Sequence, residues 1–398
     1  MIIKRSTIAK YALFAYFFLS PIYVFSSGLP QPSDYVIAFL FFPWVLQSLS
    51  KLPRHIKPKL KPYLFFVGWT FCVNLVYANF LDAPNMLRHS LFYTFSLLFC
   101  LGIAILSSFY TPIAFFQLIQ RLLALASLTA LILFISTWNI GVFRHTGSFN
   151  NPNQAAYFGI LILCLAIISA WAINQWGVLF IITALSSSLL VVLTYSGSAL
   201  FSQLVALTSL PILILSSRKV KSRVKYFLGA AILIAYLSIP AILLSNSPRV
   251  NAVLNNWERR SARLESKAEN VVDQRGYNRI LHFPGYLLLG AGEGEARRFT
   301  GEIGGPSELH STLGTFLFSY GLVGISLFFS FIFRAMKGSP GGIWVVVSSP
   351  LIYSITHQGA RQPLFWLVFV LVAIAVTSKR YFPTNLGSTA NSDLSQIN

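Results

Sequence analysis

Two arginines within a long polar segment, residues 246–310, have a spacing that suits anion binding. Arg275 and Arg279 are four positions apart, so they share one face if residues 273–282 form a helix. Two guanidinium groups side by side repel each other unless an anion lies between them. A diphosphate fits, because each planar group binds phosphate oxygens through paired hydrogen bonds. The alternative is that both arginines pair with acids one turn earlier, and both interpretations stay open.

His310 ends this segment and directly precedes a long apolar run. A neutral imidazole, with an ordinary pKa near ~6.5, is a natural general base for a hydroxyl group at neutral pH. The earlier "GAGEG" sequence contains Gly290 and Gly292, and glycine allows backbone to approach a ligand closely. The structural alternative is a hydrogen-bonded histidine at the start of a helix. His310 is therefore a candidate general base.

A third polar group is "FRHTGSFNNPNQAAY", residues 143–157. Its turn-forming residues are typical of a loop, and Asn153 is placed to cap the helix that follows. Capping explains Asn153 but gives Arg144 no structural role. Arg144 is therefore a candidate ligand-binding or catalytic residue.

The elements that position these residues are membrane helices. Of the 398 residues, 55% are hydrophobic and 10% charged, and the mean hydropathy is +0.66, which excludes a soluble globular protein. The apolar runs predict an all-α, polytopic membrane protein with about twelve transmembrane helices, each long enough to cross ~30 Å of hydrocarbon. The predicted spans are residues 9–27, 34–50, 62–80, 90–108, 122–138, 154–173, 176–194, 198–216, 226–245, 311–333, 342–357 and 363–378.

One long loop between the ninth and tenth spans divides the chain. The predicted regions are helices one to nine at 1–245, an extracytoplasmic loop with catalytic elements at 246–310, helices ten to twelve at 311–378 and a cytoplasmic tail at 379–398. Of the 30 basic residues, 18 flank the spans on one side, three lie in short loops on the other and nine lie in the long loop. Short basic loops stay cytoplasmic, so both termini are predicted to be cytoplasmic.

The outer location of the long loop excludes a nucleotide-binding role for its glycines. Nucleotides are absent on that side, and the segment lacks the strand–turn–helix context of such motifs. The net charge of +19 is explained by anionic lipid headgroups and by topology, so no nucleic-acid partner is predicted.

The acids are distributed unevenly. No Asp or Glu occurs between Asp82 and Glu258, which disfavours an ion-coupled transporter, because such proteins usually carry their ion on an intramembrane carboxylate. Eight of the eleven acids lie in the long loop. Most of this charge is interpreted as solvated or headgroup-facing surface, with an interfacial amphipathic helix at 253–272.

The three cysteines fall inside apolar spans and are interpreted as buried packing residues, and no metal site is predicted.

Three segments together resemble the O-antigen ligase and polymerase superfamily, bacterial membrane enzymes that join or polymerise lipid-linked glycans. "RHTGSFNNPNQAA" is similar to the family's loop with Arg, Gly and Pro-Asn. "RGYNRILHFPGYLLLGAGEG" is similar to its outer-loop Arg segment ending in Gly-x-Gly, and "ELHSTLGTFLFSYGLVG" to its His segment at the start of a membrane helix. The order, spacing and shared side of the three segments, over residues 144–324, make the resemblance fairly specific.

The resemblance implies metal-independent, inverting glycosyl transfer on the outer face of the inner (plasma) membrane, with no cofactor. Donor and acceptor would be undecaprenyl-diphosphate-linked glycans, and membrane lipids, a chain-length regulator and a flippase would be further partners. His310 would accept the acceptor's proton, while arginines stabilise charge on the leaving diphosphate. The implied catalytic residues are His310, Arg275, Arg279 and Arg144, and the implied substrate-binding residues include Asn153, Tyr277, Gly290 and Gly292.

The chain departs from the family pattern at one point. Relatives often have Arg or Lys after a serine in the loop that follows the seventh span, whereas here Ser196 is followed by Gly197. Arg88 or Arg361 is predicted to replace the missing cation as a substrate-binding residue.

Within the superfamily the acceptor defines the reaction. We predict a polymerase of repeat units, because "RGYNRI", "LLGAGEG" and "LHSTLGT" are closer to the polymerase branch. The alternative is an O-antigen ligase, which transfers the glycan to the lipid A core. A lipid-linked glycan flippase is the alternative of another class, but it needs cationic groups along a central cavity, whereas the candidates here cluster at one face.

Overall fold

The structure, a computed structural model, describes residues 5–139, 144–216, 255, 275–295, 297–299 and 309–381. Regular secondary structure in these residues is helical throughout. Seven of the described helices are long and apolar enough to cross a membrane, and three shorter apolar helices accompany them. The chain is therefore an α-helical, multi-pass membrane protein. The ninth predicted span lies outside the described residues, as does nearly all of the predicted amphipathic helix.

The helices follow the order of the predicted spans. They are α1 (Arg5–Leu19), α2 (Pro32–Val36), α3 (Phe42–Gln47), α4 (Lys57–Phe80), α5 (Leu87–Ser107), α6 (Pro112–Ser136), α7 (Pro152–Ile173), α8 (Val178–Leu193), α9 (Gly197–Ser216), α10 (Asn278–His282), α11 (Thr312–Met336), α12 (Gly341–Thr356) and α13 (Pro363–Tyr381). Several begin with proline, whose fixed φ and missing N–H suit the first helical turn.

The first two predicted spans differ from the helices observed. α1 ends at Leu19, before Pro21, because a residue that precedes proline is pushed out of the helical region. The second span is one interrupted helix, since a π-helical turn at Ile37–Phe41 joins α2 to α3. The irregular backbone between α1 and α2 contributes to the cavity described below.

α6 begins at Pro112, well before the predicted start at residue 122. Two polar side chains in the first turns of α6 have their hydrogen bonds made by the same residue, Gln175. The Gln117 side chain donates to Gln175 Oε1 at 3.1 Å, and the Gln120 side chain donates to the Gln175 carbonyl at 3.2 Å. Polar side chains with such partners are tolerated near the end of a membrane helix, so the apolar count underestimated α6.

The most enclosed helices are α7 and α13. In the apolar stretch of each helix, 83% of the residues of α7 and 72% of those of α13 are buried. α7 packs against α6, α8, α9, α12 and α13. A helix enclosed on all sides is apolar all round, as α7 is. Trp366 of α13 stacks on Tyr63 of α4 with ring centroids 4.2 Å apart. Cys100 and Cys164 are buried as predicted, but Cys72 is exposed on α4.

The two ends of the bundle differ in chemistry. At one end basic side chains bind helix ends: Lys59 Nζ and Arg334 Nη1 each donate at 3.4 Å to carbonyls of the neighbouring helix, and Lys379 Nζ lies 3.9 Å from the Trp171 ring centroid. These residues belong to the set that the sequence assigns to the cytoplasmic side. The opposite end carries the loops that contain the candidate site residues.

α11 is broken at Gly321, where φ is +68° and ψ is −171°. The segment before α11 in sequence fills this break: Ala291 N–H donates to the Phe318 carbonyl and Gly292 N–H to the Ser319 carbonyl, both at 2.9 Å. Leu322 N–H donates in return to the Leu287 carbonyl at 2.7 Å. The loop therefore supplies the backbone hydrogen bonds that a broken membrane helix would otherwise lose. We call residues 287–293 the inserted loop.

Candidate functional site

One large cavity, of about 910 Å³, opens at the end of the bundle that holds the candidate residues. Its wall combines the ends of several helices with the irregular backbone after α1. The charged and imidazole side chains among its lining residues are Asp34, Arg88, Arg275, His310, His357 and Arg361. Of the ten predicted site residues, five line this cavity: Arg88, Asn153, Arg275, His310 and Arg361.

The fold brings Arg275 and His310 together directly. The backbone N–H of His310 donates to the Arg275 carbonyl at 3.1 Å, and the His310 side chain is exposed at the cavity. Partial burial lowers the pKa of the Arg275 guanidinium, which stays charged at neutral pH. Because these two residues are neighbours and both line the cavity, the Arg275 guanidinium and the His310 imidazole can contact the same ligand.

The start of α11 fixes the position of His310. Ser311 is the N-cap, and its hydroxyl accepts from the Gly314 N–H at 3.0 Å. The Tyr277 hydroxyl lies 2.8 Å from the same oxygen and also bonds to the Ile355 carbonyl. Tyr277, a predicted substrate-binding residue, thus holds the helix start next to the catalytic candidate and does not line the cavity. Its predicted role stays a prediction.

A short loop between α12 and α13, residues 357–362, forms another part of the wall. It is tied to α11, because Thr312 N–H donates to the His357 carbonyl at 3.2 Å and Gly359 N–H donates to the Thr312 hydroxyl at 2.9 Å. The His357 ring stacks on Tyr353, with centroids 4.3 Å apart, and both line the cavity. The sequence "HQGARQP" is a polar cluster between two apolar spans, which is the signal that would have pointed to His357.

Arg361 belongs to this loop and contacts a buried carboxylate. Its Nη2 and Nε donate to Glu293 Oε1 at 2.7 and 3.2 Å. The other carboxylate oxygen accepts from the hydroxyls of Tyr93 and Tyr320, each at 2.8 Å. Glu293 is 5% exposed, so the interpretation of the loop acids as solvated surface does not extend to it.

The charge state of Glu293 follows from its neighbours. Burial raises the pKa of the carboxyl, but the Arg361 guanidinium and His89 outweigh it and hold the pKa well below its ordinary value. His89 Nδ1 lies 3.3 Å from Oε1, without the alignment of a hydrogen bond. Glu293 is therefore ionised at neutral pH, and it pairs with a cation of the cavity wall.

Arg279 lies in different surroundings from Arg275. The predicted helix at 273–282 is shorter, because α10 begins only at Asn278 and Arg275 lies in the turn before it, so the two arginines do not share a helical face. Arg279 is 4% exposed, and its guanidinium carbon lies 5.3 Å from the Phe299 ring centroid and 5.9 Å from that of Phe318. It does not line the cavity, and its predicted catalytic role stays a prediction.

Gly290 and Gly292, predicted to bind substrate, belong to the inserted loop. A Cβ on Gly290 would lie 2.4 Å from the Ser319 carbonyl oxygen, and one on Gly292 would lie 2.6 Å from the Met86 methyl group. Both also have positive φ, which glycine adopts without strain. Close packing accounts for both glycines, neither of which lines the cavity.

Arg144 does not line the cavity but contacts Asn153, which does. Its Nη2 donates to Asn153 Oδ1 at 2.9 Å and its Nε to the Thr194 carbonyl at 3.1 Å. The predicted cap is wrong, since Asn151 caps α7 by accepting from the Gln154 N–H at 2.9 Å. Arg144 thus reaches the loop after α8, near Ser196 and Gly197, where the sequence resemblance implies an additional cation.

Arg88 and Arg361 both contact the ring of Phe92. The guanidinium carbons of Arg88 and Arg361 lie 5.6 and 6.0 Å from the Phe92 centroid, and Phe92 lines the cavity. Arg88 Nη2 also donates to the Gly28 carbonyl. Both residues proposed from sequence as replacement cations therefore lie at the cavity wall.

Within the described residues, no group of three or more His, Cys, Asp or Glu side chains is arranged to hold a metal ion. No protein-family model matches the chain, and no curated protein matches it. The chemistry of the cavity is therefore the basis for a functional assignment.

Proposed function

We propose that the chain is a glycosyltransferase that polymerises undecaprenyl-diphosphate-linked oligosaccharide repeat units into O-antigen or exopolysaccharide. The observation that carries the proposal is one cavity that contains three arginines and His310 at a single end of a membrane bundle. The cavity would face the outer side of the inner membrane, with both termini in the cytoplasm. Its volume is within the ~300–1,000 Å³ usual for ligand sites.

In the proposed reaction, an acceptor hydroxyl attacks the anomeric carbon of the donor. A C–O bond forms on one face while the C–O bond to the diphosphate breaks on the other, so the anomeric configuration inverts. The diphosphate leaves with the electron pair, and the hydroxyl proton passes to the His310 imidazole. Arginines that face the cavity stabilise the charge that develops on the departing diphosphate.

The positions of two cavity residues support this division of roles. Arg275 is adjacent to His310 through a backbone hydrogen bond, so the proposed base and one proposed anion-binding group are held next to each other. Phe92 also lines the cavity and is partly exposed, so its ring offers a surface against which a sugar can pack.

The decisive experiment compares two histidines of the same segment in cells. His310→Ala removes the proposed base, a change that typically costs about 10²–10⁴ in rate. His282→Ala is the matched control, because His282 is exposed, bonds to the Asn278 carbonyl of its own helix at 2.8 Å and does not line the cavity. We expect both variants at normal levels in the membrane, with only His310→Ala yielding surface glycan of a single repeat unit.

Three outcomes distinguish the alternatives. A single repeat unit on the surface supports the polymerase, because a separate ligase still transfers unpolymerised units. Complete loss of surface glycan, with long polymer retained on its lipid carrier, identifies a ligase. Normal long chains in the His310→Ala strain contradict the catalytic assignment.

A further inference from the structure

Glu293 contacts an arginine of the cavity wall without lining the cavity itself. Its two carboxylate oxygens have separate partners. Oε1 accepts from Arg361 Nη2 at 2.7 Å and Nε at 3.2 Å, while Oε2 accepts from the Tyr93 and Tyr320 hydroxyls. One oxygen therefore anchors the carboxylate to the bundle, and the other holds the guanidinium.

The anchor is rigid because it joins three helices. Tyr93 belongs to α5 and Tyr320 to α11, and the Glu293 backbone N–H donates to Asn74 Oδ1 of α4 at 2.8 Å. The Asn74 side chain donates in turn to Ser90 Oγ at 2.9 Å. Glu293 also ends the inserted loop, whose backbone is bonded to the broken helix. The carboxylate thus has a position fixed independently of Arg361.

We propose that Glu293 is a positioning residue that orients Arg361 to bind the diphosphate of a lipid-linked substrate. The identity of the anion rests on the proposed function. The competing role for Glu293 is electrostatic, in which the carboxylate only neutralises a partly buried cation. The two roles predict opposite signs: removal of the negative charge strengthens anion binding if Glu293 only neutralises Arg361, and weakens it if Glu293 positions Arg361.

The test measures binding of undecaprenyl diphosphate to the full-length protein in detergent with chelator. We expect Arg361→Ala to weaken binding by at least about tenfold, the loss typical of a charge-assisted hydrogen bond. Glu293→Gln should also weaken it, by about three- to tenfold, and should add nothing in the Arg361→Ala background, because both changes remove one interaction. Glu293→Asp keeps the charge but retracts the carboxylate, so it should weaken binding as Glu293→Gln does.

Glu295→Gln is the matched control. It makes the same substitution two residues along the chain, at a carboxylate whose charge acts on Arg298, and should leave the affinity within about twofold. Equal or tighter binding in Glu293→Gln, with weaker binding in Arg361→Ala, overturns the positioning role. If Glu293→Gln does not fold, unchanged affinity in Glu293→Asp overturns it equally. Unchanged affinity in Arg361→Ala removes Arg361 from the anion site and contradicts the proposal as well.

Failure of the proposed function is a separate result. Absence of any binding of undecaprenyl diphosphate to the wild-type protein contradicts the lipid-linked substrate itself. Binding with the expected order of variants, but without polymerisation of lipid-linked repeat units, leaves the anion site in place and rejects the polymerase.

Discussion

Arg275 and Arg279 are four residues apart, yet they belong to two regions of different chemistry. Arg275 lines the cavity beside His310. Arg279 belongs to an arginine–aromatic cluster, which comprises Arg279, Arg298, Tyr77, Tyr286, Phe299 and Phe318. In this cluster guanidinium groups pack over rings: Arg298 lies 4.5 Å from the Phe299 centroid and 4.7 Å from that of Tyr77.

The comparison shows that residue type and spacing do not decide whether an arginine binds a ligand. The start of α10 at Asn278 places Arg275 in a turn and Arg279 in the helix, so their side chains lie in different surroundings. In the cluster, ring faces stabilise the charge through cation–π contacts. At the cavity, an anionic ligand would do so. Four predictions test this distinction.

The largest expected effect is on catalysis. Arg275→Ala should lower the turnover of lipid-linked repeat units by about 10²–10³, the cost of removing a preorganised charge-stabilising group. If Arg279 serves only the cluster, Arg279→Ala should leave turnover per folded molecule within about threefold of wild type, whereas its predicted catalytic role requires a loss close to that of Arg275→Ala. Both rates are measured on purified protein, normalised to the monodisperse fraction. Equal losses in the two variants would remove the distinction between the regions.

The second effect is on stability, for which Arg279 should matter although its replacement should have little effect on turnover. Arg279→Met keeps the volume but loses the cation–π contacts, so it should lower the free energy of unfolding by about 1–2 kcal/mol. Arg297→Ala, at an exposed position nearby, should change it by less than about 0.5 kcal/mol. Thermal unfolding in detergent measures both. A larger shift in Arg297→Ala than in Arg279→Met would mean that the rings contribute little.

The third effect is a pH dependence of stability at Glu293, which lies between the two regions. Its pKa is depressed in the folded protein, so its ionised form stabilises the fold above the ordinary glutamate pKa of about 4.3. That contribution is lost as the pH falls from there towards the folded pKa. The thermal midpoints of wild type and Glu293→Gln should therefore differ most at neutral pH. The difference should begin to shrink near pH 4 and should continue to shrink as the pH falls further. A constant difference across this range would contradict the ionised pair.

The smallest expected effect is that of chelation. We expect turnover in the presence of chelator to stay within about twofold of the control, because arginines supply the positive charge that a divalent metal would otherwise provide. Loss of turnover, restored by magnesium or manganese, would point to acids of the long loop outside the described residues, such as Glu302 and Glu308.

Local sequence patterns predicted the helices well because membrane spans are defined by local composition. α7 and α13 begin within two residues of their predicted starts, each with a proline in the first turn. α6 was predicted too short, because Gln117 and Gln120 are polar in sequence and only the fold supplies Gln175 as their partner. Positions set by distant partners are not encoded in a local window.

The candidate site was predictable in part for the same reason. Arg275 and His310 both line the cavity, and the charge asymmetry predicts that both lie on one face of the membrane. Glu293 was not singled out, since its partners come from positions 74, 93, 320 and 361, far away in sequence. The one local sign was an acid between two glycines in "GAGEG", a sequence otherwise explained by backbone freedom.

The close packing between the inserted loop and α11 limits which substitutions relatives of this chain can carry. A Cβ on Gly290 would lie 2.4 Å from the Ser319 carbonyl oxygen, and a Cβ on Gly321 would lie equally close to the Leu288 carbonyl oxygen. Neither glycine can be replaced unless the backbone opposite it shifts, so residues 287–293 and 318–322 should evolve as one unit.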